Sequence, residues 1–149
     1  MGKPARYFFS KAEKEAIGQA IRLAERETSG EIRVHVENKC GENVLDRASY
    51  LFGKIGMHRT HQRNGVLFYL AVNDRKFAII GDVGINTVVP ADFWDHTKEV
   101  MQSCFVRNAF TEGLIKGITM AGEQLKTRFP YKSNDVNELS DDISFGKNG

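Results

Sequence analysis

The chain has 149 residues, 41% of them hydrophobic and 27% charged, with a formal net charge of +2. That length fits one domain able to bury about two-thirds of its unfolded surface without disulfides or a structural metal. The small charge and the lack of a dense Lys/Arg run exclude a nucleic-acid footprint, and no apolar run reaches the roughly 18 residues of direct membrane insertion.

The N-terminal segment MGKPARYFFSKAEKEAI has no apolar stretch of signal-peptide length, so a cytoplasmic protein is expected. Ser10 followed by Glu13 is a capping-box pattern, and Ala16, Ile17, Ala20, Ile21 and Ala24 behind it recur at helical spacing. Thr28-Ser29-Gly30 stops that helix. Residues 31–37 alternate as a strand, with Ile32, Val34 and Val36 on one face and Arg33 and His35 on the other. A second helix is expected over 44–55, with Leu45, Ala48, Leu51, Phe52 and Ile55 inward, then a polar loop over 56–63.

Val66 to Val72 is an unbroken apolar run, right for a strand covered on both faces. Asn73-Asp74-Arg75 turns it, and Lys76 to Ile80 resumes as the second strand of a buried hairpin. Pro90 and Asp92 open a third helix, with Phe93, Trp94, Thr97, Val100, Met101 and Cys104 inward, and a fourth runs over about 111–128. The order predicts an α/β fold, a three-layer α/β/α sandwich with a short mixed sheet and helices on both faces. The domain is read over 1–130. Residues 131–149 form an acidic tail that is either disordered or docked through Leu139, Ile143 and Phe145, and a protein partner for the acidic stretch 135–142 is one expectation.

A helical crossover makes strands 31–37 and 66–72 parallel, and the hairpin returns strand 76–81 to the end where they begin. Glu31, Arg63, Asn64, Asp82, Asn86 and Asp92 should therefore converge. Glu37, Asn38, Asp46 and Asp74 form a second, weaker polar group at the opposite end. The Gly81-Asp82-Val83-Gly84-Ile85-Asn86 loop is the best site candidate, because glycines let a backbone approach an ion closely.

The early strand, Asn64-Gly65-Val66-Leu67, the turn Asn73-Asp74-Arg75-Lys76, Gly81-Asp82-Val83-Gly84-Ile85-Asn86, Phe93-Trp94 and Phe129-Pro130 resemble the TPM domain family in order and spacing. Asn137-Glu138-Leu139 with Asp141-Asp142 resembles a soluble subgroup ending in an acidic NEL motif. The resemblance implies an α/β/α sandwich, divalent-metal binding (calcium above all) and a modest acid-phosphatase-type activity. Two departures stand out. Arg63 occupies the place of an acid in the commoner family form, and Asn86 the place of a glutamate.

Each candidate has two readings. Asp82 is either a hard-metal ligand, with Asn86, Asp92 and Glu31 as neighbours, or a residue capping its own loop, whose glycines supply positive φ. Asp92, Asp95 and Glu99 share a helix face, where acids in a first turn also suit the helix dipole. Arg63, Asn64 and His61 are the candidates for holding phosphate, with His58 nearby, against a solvated basic loop. His35 reads as packed. Cys40 and Cys104 read as free thiols, since no CxxC or Cys/His spacing occurs. Nucleophilic catalysis lacks a Gly-x-Ser-x-Gly or a Cys-x5-Arg loop, so hydrolysis would draw on a metal at Asp82.

Overall fold

The computed structural model describes residues 4–131 and 143–146. The acidic stretch, with the Asn137-Glu138-Leu139 motif, lies outside the described residues. Two short 3-10 turns, Ala5–Tyr7 and Met57–Arg59, accompany α1 (Lys11–Glu25), β1 (Glu31–Glu37), α2 (Val44–Ile55), β2 (Gly65–Ala71), β3 (Lys76–Gly81), α3 (Val83–Asn86), α4 (Phe93–Phe105), α5 (Phe110–Arg128) and β4 (Ser144–Phe145).

The sheet order is β3-β2-β1-β4. β1 lies parallel to β2, with Glu31 opposite Gly65, and β3 runs antiparallel to β2, with Val66 opposite Gly81. Alternation along the strands divides the core. Ile32, Val34, Val36, Val66, Phe68 and Leu70 face α1, α4 and α5, while Leu67, Tyr69, Ala71 and Ala78 face α2. All seven residues of β2 are buried, as a strand covered on both sides requires. The three layers and the mixed sheet agree with the sequence pattern.

The capping box forms as expected: Ser10 Oγ accepts from the Glu13 amide and Glu13 Oε1 from the Ser10 amide. Leu45 departs from its expected inward position: it shares the face of Ala48 and Phe52 but lies in the first turn of α2 and is 48% exposed. The 56–63 loop is less polar in space than in sequence, since Met57 is fully buried beneath the sheet end. The fourth strand was not expected. Ser144 and Phe145 pair in parallel with His35 and Val36, and Ile143 and Phe145 pack against the larger core.

Candidate functional site

Both ends of the sheet carry buried polar clusters. At the first, the chain leaves β3 and turns into the four-residue α3, with Asp82 as its N-cap. Asp82 Oδ1 accepts from the Val83 amide at 2.7 Å, so the self-capping reading of this carboxylate is realised. The same carboxylate is gripped from outside by Arg63, with Nε to Oδ2 at 2.6 Å and Nη2 to Oδ1 at 2.8 Å. This is a bidentate fork-to-fork pair, the strong geometry for arginine and carboxylate. The Asp82 side chain is 4% exposed and that of Arg63 48%.

The loop glycines act by closeness rather than by φ. Among described glycines only Gly56 has positive φ, whereas a Cβ on Gly84 would lie 2.0 Å from the Gln62 carbonyl oxygen. The positive φ falls instead on Arg63, at 53°. Its carbonyl accepts from the Gly84 amide at 2.8 Å, which ties the two loops together.

Asn64 is 1% exposed, and its backbone amide donates to Thr60 Oγ1. The Ser29 hydroxyl donates to Gln62 Oε1 at 2.7 Å and so accepts from Asn64 Nδ2 at 3.2 Å. With that orientation Asn64 Oδ1 is buried with no partner among the described residues. Asn86 donates to the Gly81 carbonyl and accepts from Trp94 Nε1, a tie missed by reading Trp94 only as core. Glu31 is buried at the start of β1, across Gly65 from Asp82 in the sheet register. Asp92 is exposed at the start of α4 and its side chain caps nothing, and His61 is also exposed. Sequence reasoning named Arg63, Asn64, Asp82 and Asn86, but not their supports Ser29, Thr60 and Gln62, whose roles exist only once β1 and β2 are paired.

The second cluster surrounds Glu37, 2% exposed at the end of β1. Arg47 of α2 holds it bidentately at 2.9 and 2.6 Å, and the Tyr69 hydroxyl donates to Oε1 at 2.6 Å. His35 Nε2 lies 3.7 Å from Oε2, while Nδ1 meets Ser144 Oγ at 2.7 Å. Ser144 Oγ also lies 3.3 Å from the Val34 carbonyl, so its one hydroxyl proton serves either that carbonyl or Nδ1. Burial pushes Glu37 up, but hydrogen bonds from Arg47 and Tyr69 outweigh it, so its carboxyl sits below the usual range. Burial, with Glu37 as a further cause, pushes Tyr69 well above an ordinary phenol.

Burial also lowers His35, against a smaller opposing pull from Glu37. The folded state therefore prefers the neutral ring. Stability from this group is complete above the unfolded value near 6.5 and falls as pH drops from there towards the lower folded value. Chemical denaturation between pH 7.5 and 5 should show stability declining by at most about 1.4 kcal/mol per pH unit from this group. The decline should flatten in His35→Gln, and an unchanged slope in that variant would refute the assignment.

The fold agrees with the comparisons. The TPM domain family matches residues 5–124. The chain belongs to that family. The solution structure of the BA42 protein from the psychrophilic bacterium Bizionia argentinensis is 47% identical, with a TM-score of 0.87, covering 93% of this chain and 96% of that one. Two further solution structures share the fold. The N-terminal domain of the cg2496 protein from Corynebacterium glutamicum has a TM-score of 0.63 at 13% identity, over 90% of this chain and 84% of that one. An N-terminal domain from P. gingivalis has a TM-score of 0.64 at 18% identity, over 81% and 78%. No curated protein matches this TPM domain significantly.

The donors at the Asp82 end are a buried carboxylate and amide oxygens, hard ligands of the kind that suit Ca²⁺ and Mg²⁺ rather than softer metals. The unpartnered Asn64 Oδ1 adds a ready acceptor. Among the described residues, no three His, Cys, Asp or Glu side chains gather as a ligand group. As arranged, with Arg63 on Asp82, this end offers one carboxylate that is already paired. Among the described residues, no helix is long and apolar enough to cross a membrane.

Proposed function

We propose that this TPM domain is a non-catalytic binding module that takes a divalent cation, Ca²⁺ above all, at the Asp82 end of its sheet. The observation that carries this reading is a buried carboxylate at a sheet end that also holds an unpartnered buried amide oxygen, with the carboxylate's countercharge supplied by a half-exposed side chain. Asp82 and Asn64 would hold the ion, which would supply positive charge to fix the loop between β3 and α3. With one carboxylate and few fixed oxygens, affinity should fall in the weak range, a Kd of about 10⁻⁴ to 10⁻³ M. A phosphatase reading would need Arg63 on the phosphate. Its bidentate commitment to Asp82 favours the binding reading.

The test is a Ca²⁺ titration of the metal-stripped, ¹⁵N-labelled chain, followed by amide shifts and compared with Mg²⁺. Saturable shifts are expected at residues 81–86 and at the Asn64 side-chain amide, and they should vanish in Asp82→Asn. Shifts that fail to saturate, or that survive Asp82→Asn, would overturn the proposal.

A further inference from the structure

We infer that the outer edge of β1 is a seat for an extended peptide of aliphatic–hydroxyl–aromatic–glycine pattern, and that residues 143–146 are its resident, displaceable occupant. The order β3-β2-β1-β4 makes β1 an edge strand but for the two residues of β4, Ser144 and Phe145, which pair in parallel with His35 and Val36. An edge whose carbonyls lack a partner strand is a template for another one, and strand addition is a common way to hold a peptide. Here the Val36 carbonyl accepts from the Gly146 amide at 3.0 Å, and the Val34 carbonyl lies 3.3 Å from Ser144 Oγ. The seat lies at the Glu37 end of the sheet, away from Asp82, so it is independent of the cation reading.

Each position of the occupant meets a distinct feature. Ile143 and Phe145 pack on the larger core, and Lys14 of α1 lies 5.3 Å from the centroid of the Phe145 ring. Ser144 falls on the other face, with Oγ 2.7 Å from His35 Nδ1. A Cβ on Gly146 would run into the Glu37 carboxylate, which Arg47 and Tyr69 hold in place. The seat therefore reads side chains as well as backbone. The occupant is lightly held. All four of its residues are half-buried, whereas Val34, His35, Val36 and Glu37 beneath it are buried. Two paired positions make the kind of element that opens locally, without global unfolding. The seat is part of the region matched by the TPM family, and its occupant lies beyond residue 124. A tethered occupant excludes a free peptide of equal affinity until that peptide reaches the tether's effective concentration, of order millimolar for short linkers. Residues 143–146 thus screen the edge from weak strands and yield to a better one.

The probe is a synthetic peptide of residues 142–149, added to the ¹⁵N-labelled full chain and to its Phe145→Ala and Gly146→Ala variants. Both substitutions weaken the occupant and leave β1 untouched. In the unaltered chain the Gly146 amide should exchange with solvent about tenfold faster than the amides of β2, or faster still, as local opening requires. Both variants should bind the peptide with saturable shifts at residues 33–37 and Lys14, at concentrations about tenfold or more below those the unaltered chain needs. The same peptide carrying Phe145→Ala should bind all three proteins more weakly. A peptide that binds the unaltered chain as well as it binds the variants, or that leaves residues 33–37 of the variants unshifted, overturns the seat. A Gly146 amide protected as well as those of β2, or a variant that loses its fold, makes residues 143–146 an integral strand and overturns the inference too. None of these outcomes involves Ca²⁺, so the cation reading is tested separately.

Discussion

Replacing Glu37 by alanine is expected to lower the stability of the domain by about 3 kcal/mol, the low end of the range for breaking a buried ion pair. Arg47, 29% exposed, recovers part of its hydration when its partner goes, which is why the low end applies. Tyr69 cannot recover in the same way. It is 1% exposed, and its hydroxyl would lose an acceptor in the dry layer between the sheet and α2. His35 would lose the carboxylate that faces Nε2. The unfolding temperature should fall by about 6–12 °C, since 1 kcal/mol corresponds to roughly 2–4 °C at this chain length. The double variant Glu37→Met with Arg47→Met should recover much of the loss, because an apolar pair of similar volume leaves no unpaired charge. A drop below about 1 kcal/mol in Glu37→Ala would show that the network is replaceable by water.

This cluster was the part of the molecule least legible in the sequence. Glu37 is visible in the sequence as a strand-end acid and His35 as a packed residue, but neither pattern marks a buried centre. The partners that make Glu37 a buried centre, Arg47, Tyr69 and His35, come from α2, β2 and β1, so no local spacing announces them. β4 was hidden for a related reason. Two residues have no period, and their pairing to His35 and Val36 spans more than a hundred positions. Long periodic elements had the opposite property. The alternation of 31–37 and the helical stripe of 44–55 were each specified by their own residues, and both ranges coincide with β1 and α2. At the other end the convergence of Arg63, Asn64, Asp82 and Asn86 followed from topology alone. The direct grip of Arg63 on Asp82 did not, because it depends on a positive φ at an arginine, which no propensity would suggest.

The two clusters share a design. Each places a nearly buried carboxylate at the end of a strand and closes it with a bidentate arginine from a neighbouring element. They differ in how far the arginine is committed. Arg47 is 29% exposed and lies against the Tyr50 ring, with 5.6 Å between guanidinium carbon and ring centroid. Arg63 is 48% exposed. The first pair is therefore the more enclosed clasp, joining the sheet to α2, and the second lies more open to solvent.

Gly84→Ala should destabilise the protein by about 3 kcal/mol, although the added group is one methyl. Its Cβ would stand 2.0 Å from the Gln62 carbonyl oxygen and 2.5 Å from that of Arg63. These are backbone atoms, so no rotamer change relieves the clash and the two loops must part. Overpacking of this kind costs about 1–3 kcal/mol, and the hydrogen bond from the Gly84 amide to the Arg63 carbonyl adds about 1. Parting the loops also draws the guanidinium off Asp82. Denaturant midpoints should fall, and hydrogen exchange should quicken at the Gly84 amide and the Arg63 Nε–H, while β1 and β2 stay protected. Gly53→Ala supplies the opposite sign from the same chemical change. Gly53 lies exposed within α2 with nothing within 4 Å of an added Cβ, so alanine should stabilise by up to about 1 kcal/mol through helix propensity. If both substitutions moved the midpoint in the same direction, the close approach of residues 62–63 to Gly84 would not be what holds this loop, and the pairing of Arg63 with Asp82 would need another support.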